Sequence, residues 1–271
     1  MKSALPDDRF ILMTVEPLAL AAGNRIMEIC RRGFQTLAKE DCSPVTQADR
    51  DAEAIILEGL HRHFPDIPVV AEEDIAEGGE PPEVSDTFFL VDPLDGTREF
   101  VGGKGDFTVN IALIRQGAPV AGVIYAPATR QFFAGCAGHA EMGNADEQHR
   151  LMDRRPIRAS HRASPVRIVA SRSHNTPETE RFIAGFAGAE CVSVGSSLKF
   201  CLLASGQADL YPRLGRTMQW DTAAGDAILR AAGGMTTTLD GRPFVYGPGT
   251  APEDAPYANP HFIASGLPAA G

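Results

Sequence analysis

Two aspartates three residues apart, Asp92 and Asp95, stand at the end of the apolar run Phe88-Phe89-Leu90-Val91. Such a run reads as a buried strand. Pro93 and Gly96 shape the turn that closes it, because proline fixes φ and glycine admits close backbone approach. The segment Val91-Asp92-Pro93-Leu94-Asp95-Gly96-Thr97 therefore delivers two carboxylates, the Leu94 carbonyl and the Thr97 hydroxyl to one point. Hard oxygen donors suit Mg2+, and two magnesium ions sharing carboxylates suit hydrolysis of a phosphate ester. The same residues also spell an Asx-capped turn that holds no metal, so this segment alone leaves both readings open.

Two other acidic positions bear on that choice. Glu72-Glu73-Asp74 follows the short strand-like segment Pro68-Val69-Val70-Ala71. Adjacent carboxylates repel unless a cation neutralises them; the alternative is a solvated acidic loop. Asp221 follows the single tryptophan, Trp220, and precedes Thr222-Ala223-Ala224-Gly225. It reads either as a plain N-cap or as a metal carboxylate at a helix start that also favours anions. Read alone, Lys199 and Arg213 are surface cations, His174 is a capping residue before a helix, and Ser196 is an N-cap.

Elements must position these groups. Helical spacing over residues 11–32 ends at Gly33, a natural stop. Thr46 caps a second helix, with Asp49 in its first turn, running to about His63 before Pro65. Residues 75–86, with Gly78-Gly79 and Pro81-Pro82, read as an exposed loop. Segments 107–114, 120–125 and 131–136 form an antiparallel meander. Residues 139–163 are polar, read as irregular, and mark a boundary between two halves. Residues 1–150 form an α+β half carrying the metal-binding motifs, and residues 151–271 an α/β half carrying substrate recognition. In that second half, strands are expected at 166–170, 191–194 and 208–213, and helices at 176–186, 196–204 and 221–232.

The 271 residues carry a formal net charge of −10, which argues against a nucleic-acid polymer as partner. A small anionic substrate is still admitted, because bound metal inverts the local field. The cysteines Cys30, Cys42, Cys136, Cys191 and Cys201 contain no CxxC pair, so reduced thiols are expected rather than zinc or a disulfide framework. The N-terminus lacks the pattern of a secretory leader, and no apolar run reaches the roughly 18 residues of a spanning helix. A cytoplasmic location is expected, with peripheral association at the inner membrane left open. Gly102-Gly103-Lys104-Gly105 lacks the spacing of a phosphate loop.

Taken together, Glu72-Glu73-Asp74, Asp92-Pro93-Leu94-Asp95-Gly96-Thr97 and Trp220-Asp221-Thr222-Ala223-Ala224-Gly225 resemble the signature of the inositol monophosphatase superfamily, in order and spacing, over nearly the whole chain. The resemblance implies a layered αβαβα sugar-phosphatase fold and a Mg2+-dependent, lithium-sensitive phosphatase. Asp95-Gly96-Thr97-Arg98-Glu99-Phe100, Ser171-Arg172-Ser173-His174, Gly195-Ser196-Ser197-Leu198-Lys199-Phe200-Cys201 and Ala208-Asp209-Leu210-Tyr211-Pro212-Arg213 are most similar to the bacterial 3′(2′),5′-bisphosphate nucleotidases of sulfate assimilation. Arg98 departs from that branch, where Lys is usual.

By this resemblance, Glu72, Asp92, Asp95 and the Leu94 carbonyl hold the first metal or bridge to the second, and Asp221 completes the second site. Glu72 and Thr97 orient the attacking water, and Asp49 holds the waters of a third, weaker ion. The Gly96 and Thr97 amides bind the scissile phosphate. Lys199 and Arg213 hold the phosphate that is not cleaved, and His174 and Ser196 touch the nucleotide. The implied substrate is adenosine 3′,5′-bisphosphate, converted to AMP and phosphate by a monomer or homodimer. Two alternatives remain at this stage: an inositol or other sugar monophosphatase on the same scaffold, and a non-catalytic nucleotide or metal sensor.

Overall fold

The computed structural model describes residues 6–34, 36–38, 44–173, 175–249 and 255–268. Two helices come first, α1 (Asp8–Arg32) and α2 (Gln47–His63), with the short antiparallel strands β1 (Thr36–Ala38) and β2 (Pro44–Thr46) between them. Asp7 caps α1, and Gly33 ends it at φ +78. Thr46 and Asp49 form a reciprocal capping box on α2, which satisfies two of the amides a helix start leaves open. Among the described residues α1 is the one helix long and apolar enough to cross a bilayer by length and composition. Its apolar stripe, Ile11, Val15, Ala19, Ala22 and Ile26, is instead buried in the core.

A seven-stranded sheet follows in sequence order: β3 (Val69–Ala71), β4 (Thr87–Asp95), β5 (Thr108–Arg115), β6 (Ala118–Ala126), β7 (Gln131–Cys136), β8 (His139–Ala145) and β9 (Leu151–Pro156). Only β3 and β4 run parallel; the rest is a meander. Two short helices interrupt it, α3 (Glu72–Ala76) and α4 (Thr97–Val101). The acidic cluster is therefore helical, and the expected loop begins after it. The segment 139–163 is not irregular: β8 and β9 extend the sheet to Pro156, so a division at residue 150 falls inside a hairpin.

The second sheet has the order β11-β10-β12-β14-β13. It contains β10 (Arg167–Ser171), β11 (Glu190–Val194), β12 (Leu210–Arg213), β13 (Met235–Thr238) and β14 (Phe262–Ser265). Strands β10, β11 and β12 are parallel, and β14 runs antiparallel to both of its neighbours, β12 and β13. Helices α5 (Pro177–Ala184), α6 (Leu198–Ala204) and α7 (Ala223–Ala231) complete the chain. The stack runs α1/α2, first sheet, α6/α7, second sheet, α5. This is the layered αβαβα architecture expected.

Strand β4 shows why its apolar run is continuous. Phe89 and Val91 enter the core under α1 and α2, whereas Phe88 and Leu90 enter the core under α6 and α7. A strand buried on both faces needs no polar alternation. Helix α7 lies close on the sheet because Gly122 and Gly135 leave room; a Cβ on Gly122 would stand 2.4 Å from the Ala224 carbonyl.

Candidate active site

The paired aspartates owe their convergence to a β-bulge. Residues i and i+3 of a regular strand face opposite sides. Here Asp92 pairs with Asn110 and Asp95 with Thr108, three residues against two. The extra residue restores the phase, so both aspartates share the face of Asn110 and Thr108. That face is apolar along Phe88 and Leu90 and turns polar where β4 ends. Asp92 Oδ1 accepts from the Leu94 amide at 3.0 Å, so the Asx turn read from sequence also forms and orients Leu94. Gly96 then takes φ +94, with the Asp106 carbonyl only 2.9 Å from where a Cβ would be; only glycine fits.

Two residues from α2 and α4 meet this turn. Thr97 Oγ1 lies 3.1 Å from Asp49 Oδ1 and 3.2 Å from the Leu94 carbonyl, and its single proton serves one of them. Asp49 Oδ2 accepts from the Thr46 amide and hydroxyl at 2.8 and 2.7 Å. Asp49 thus joins the cap of α2 to the hydroxyl proposed to orient water. Glu72 at the start of α3 is half-buried and lines the same cleft.

From the other side come Asp221 and Ser197. Asp221 is not the N-cap of α7, which is Thr222; its Oδ2 accepts from the Met218 amide at 2.8 Å. Ser197 Oγ accepts from Asn110 Nδ2 at 2.9 Å and lies 2.7 Å from Asp95 Oδ2 and 2.6 Å from the Asp221 carbonyl. This hydroxyl ties the two acidic motifs together, and the sequence reading missed it. Ser197, not Ser196, is the N-cap of α6. Ser196 sits at φ +46 with a buried hydroxyl that has no hydrogen-bond partner among the described residues.

The cleft between the sheets has a volume of about 540 Å³ and is lined by Glu72, Asp95, Gly96, Thr97, Ser196, Lys199, Arg213 and Asp221, among others. Burial pushes the Asp95 carboxyl up, and Glu72 adds to this; Lys199 and the Ser197 hydroxyl oppose it. Burial, then Asp95, then Glu72 push Asp221 well up. Three partly buried carboxylates crowded into one cleft repel one another, and hard cations reverse that penalty. The donor set therefore fits Mg2+. Among the described residues no three such side chains stand close enough together to form a metal cage.

Lys199 and Arg213 lie deeper than the surface reading allows, at 5% and 6% exposure. Lys199 Nζ donates to the Ser196 carbonyl and stands 5.4 Å from the Tyr211 ring centroid. Burial, reinforced by Arg213, brings the Lys199 ammonium down to about 8. Arg213 Nη2 donates to the Arg216 carbonyl at 2.7 Å. His174 and Cys42 lie outside the described residues; the four described cysteines are free thiols. Glu99, which accepts from the Ser173 hydroxyl, and Asp106, which pairs with Arg172 and accepts from the Gly195 amide, tie α4 and its following loop to the second sheet. No local pattern marks either residue, since each partner is more than sixty positions away.

Residues 7–267 match the model of the inositol monophosphatase family. The chain belongs to this family. It is 43% identical over 235 residues to the 3′(2′),5′-bisphosphate nucleotidase CysQ of Escherichia coli (strain K12), covering 85% of this chain and 92% of that protein. The counterpart from Salmonella typhimurium is 44% identical over 242 residues, covering 88% and 94%. The crystal structure of CysQ from Bacteroides thetaiotaomicron, a bacterial member of the inositol monophosphatase family, superposes with a TM-score of 0.77 at 36% identity, covering 95% of this chain and 97% of that one. An inositol monophosphatase from Anabaena superposes with a TM-score of 0.70 at 27% identity, covering 95% and 90%. Inositol monophosphatase family enzymes generally depend on Mg2+.

Proposed function

We propose that this protein is a Mg2+-dependent 3′(2′),5′-bisphosphate nucleotidase that hydrolyses adenosine 3′,5′-bisphosphate to AMP and phosphate, and that it clears this by-product of sulfate activation in the cytoplasm. The observation that carries the substrate is the burial of Lys199 and Arg213 in the cleft that also holds Glu72, Asp95 and Asp221. Lys199 already faces Asp95, Glu99 and Asp221, and Arg213 faces Asp221. Mg2+ held by Asp95 and Asp221 would compete for those carboxylates, and a second phosphate would then meet the two cations. A monophosphate ester gives the acidic end its reacting group and leaves the basic end without one; a bisphosphate serves both.

Glu72, Asp92, Asp95, Asp221 and the Leu94 carbonyl would hold two Mg2+ ions, and Asp49 would hold the waters of a third. When bound, magnesium would neutralise the acidic cluster and supply Lewis acidity for displacement at phosphorus. The protein's own groups do the rest. Thr97 donates to Asp49 and thereby turns its oxygen lone pair outward, where it accepts from the attacking water. Glu72 takes that water's second hydrogen bond and its proton. The Gly96 and Thr97 amides face the scissile phosphate. Arg213 offers a planar fork to the other phosphate and Lys199 a point charge, while Ser196 brings a buried hydroxyl and His174 a ring to the nucleoside.

Phosphate release from purified protein tests this, comparing adenosine 3′,5′-bisphosphate with inositol 1-phosphate, with Mg2+ and with chelator. A strong preference for the bisphosphate, abolished by chelator, is expected. Preference for the inositol ester would overturn the substrate.

A further inference from the structure

Helix α3 carries Glu72 but begins without a cap of its own, because Ala71 at its N-cap position has no side-chain acceptor. Four amides at a helix start need acceptors. Here the acceptor comes from another helix. Glu53, on α2, is buried at 6% exposure, and its Oε2 accepts from the Glu73 amide at 2.9 Å. The Asp74 amide also faces this carboxyl. Glu53 stands one turn after Asp49, so the two carboxyls share a helix face. Asp49 fixes Thr97 and Glu53 fixes the turn that presents Glu72. We infer that Glu53 is a positioning residue for hydrolysis: as a cap in trans it sets the place of Glu72, so that one face of α2 aligns both water-orienting groups. This inference rests on the metal-dependent reading above.

The role needs an acceptor and a side chain of this length, not a charge. Glu53→Gln keeps both, Glu53→Ala removes the acceptor, and Glu53→Asp keeps the charge but withdraws the oxygen by one methylene. Groups that orient metal ligands typically contribute 10–100-fold in affinity or activity. Calorimetric Mg2+ titration should therefore show Glu53→Ala and Glu53→Asp weakened by roughly tenfold or more, and turnover should fall by a similar factor. KM for the bisphosphate at saturating Mg2+ should stay close to wild type, because Lys199 and Arg213 are untouched. Glu53→Gln should restore Mg2+ affinity and turnover to within a few-fold of wild type. Should Glu53→Ala fail to fold, the Gln–Asp contrast still decides. Wild-type Mg2+ affinity and turnover in Glu53→Asp, or Glu53→Gln as impaired as Glu53→Asp, would overturn the inference and leave the nucleotidase reading intact. A wild-type protein that neither binds nor needs Mg2+ would overturn both.

Discussion

At the residue scale, the chemistry depends on groups held in states they would not adopt in water. Lys199 is the clearest case. Its ammonium is brought down to about 8 by burial and by Arg213, so the free enzyme loses this positive charge as pH rises through that value. KM for the bisphosphate should climb above pH 8, and Lys199→Arg should flatten that climb. A pH series of KM for both proteins checks it; an unchanged climb in Lys199→Arg would assign it to another group. Asp95→Asn removes the charge of a proposed metal ligand while leaving Ser197 an acceptor in the Asp221 carbonyl. It should abolish turnover without unfolding the protein, read by phosphate release alongside circular dichroism. The three acidic motifs were legible in sequence as a set, and the two cations only through the family resemblance, because each alone reads as a surface charge. Ser197, Glu99 and Asp106 were not, because each acts through a partner far away in the chain, and a lone hydroxyl or carboxylate carries no periodic signal.

At the element scale, helix ends and one bulge bring the groups together. Asp221 reads as an N-cap in sequence, yet it lies two residues before α7 and is held by the Met218 amide. Its placement therefore depends on how closely α7 sits on the first sheet. Gly122→Ala would put a methyl 2.4 Å from the Ala224 carbonyl. Such overpacking typically costs about 1–3 kcal/mol, and α7 must shift to relieve it. Urea unfolding should show that loss of stability, and turnover should fall further than stability alone explains. Normal turnover would mean that Asp221 does not follow α7. Capping signals made α1, α2 and α5 legible. Strand β9 was not, because it is a largely exposed edge strand of charged residues, Asp153, Arg154 and Arg155. Strand β8 did carry a signal, since buried Ala140 and Met142 alternate with Glu141. Strand β14 runs antiparallel to its neighbours β12 and β13, which a parallel βαβ reading does not anticipate.

At the scale of the whole molecule, the acidic cluster sits between two hydrophobic cores and opposes folding when no cation is present. Asp95 and Asp221 both have carboxyls pushed up in the folded state. The native protein therefore keeps protons that the unfolded chain releases from about pH 4 upward, and its stability falls as pH rises through the raised folded values. In chelator, the melting temperature should decline over this range, and Asp221→Asn should raise it while abolishing turnover. Added Mg2+, held at the proposed site of the native state, should raise the wild-type melting temperature and flatten the slope. Differential scanning calorimetry across pH checks all three; a chelated protein whose stability rose with pH would contradict the crowding of these carboxylates. The layered fold was legible because three separated motifs carry the family resemblance that implies it.

The most direct test of the central claim is the selectivity of Lys199→Ala/Arg213→Ala. Steady-state kinetics with Mg2+ would compare adenosine 3′,5′-bisphosphate with inositol 1-phosphate. Each lost charge-assisted bond is worth about 1.5–3 kcal/mol, so kcat/KM for the bisphosphate should fall by roughly a hundredfold or more, with turnover of the monophosphate nearly unchanged. An equal fall for both substrates would contradict the account, because it would place these cations in the chemistry common to all phosphate esters rather than in the choice of this one.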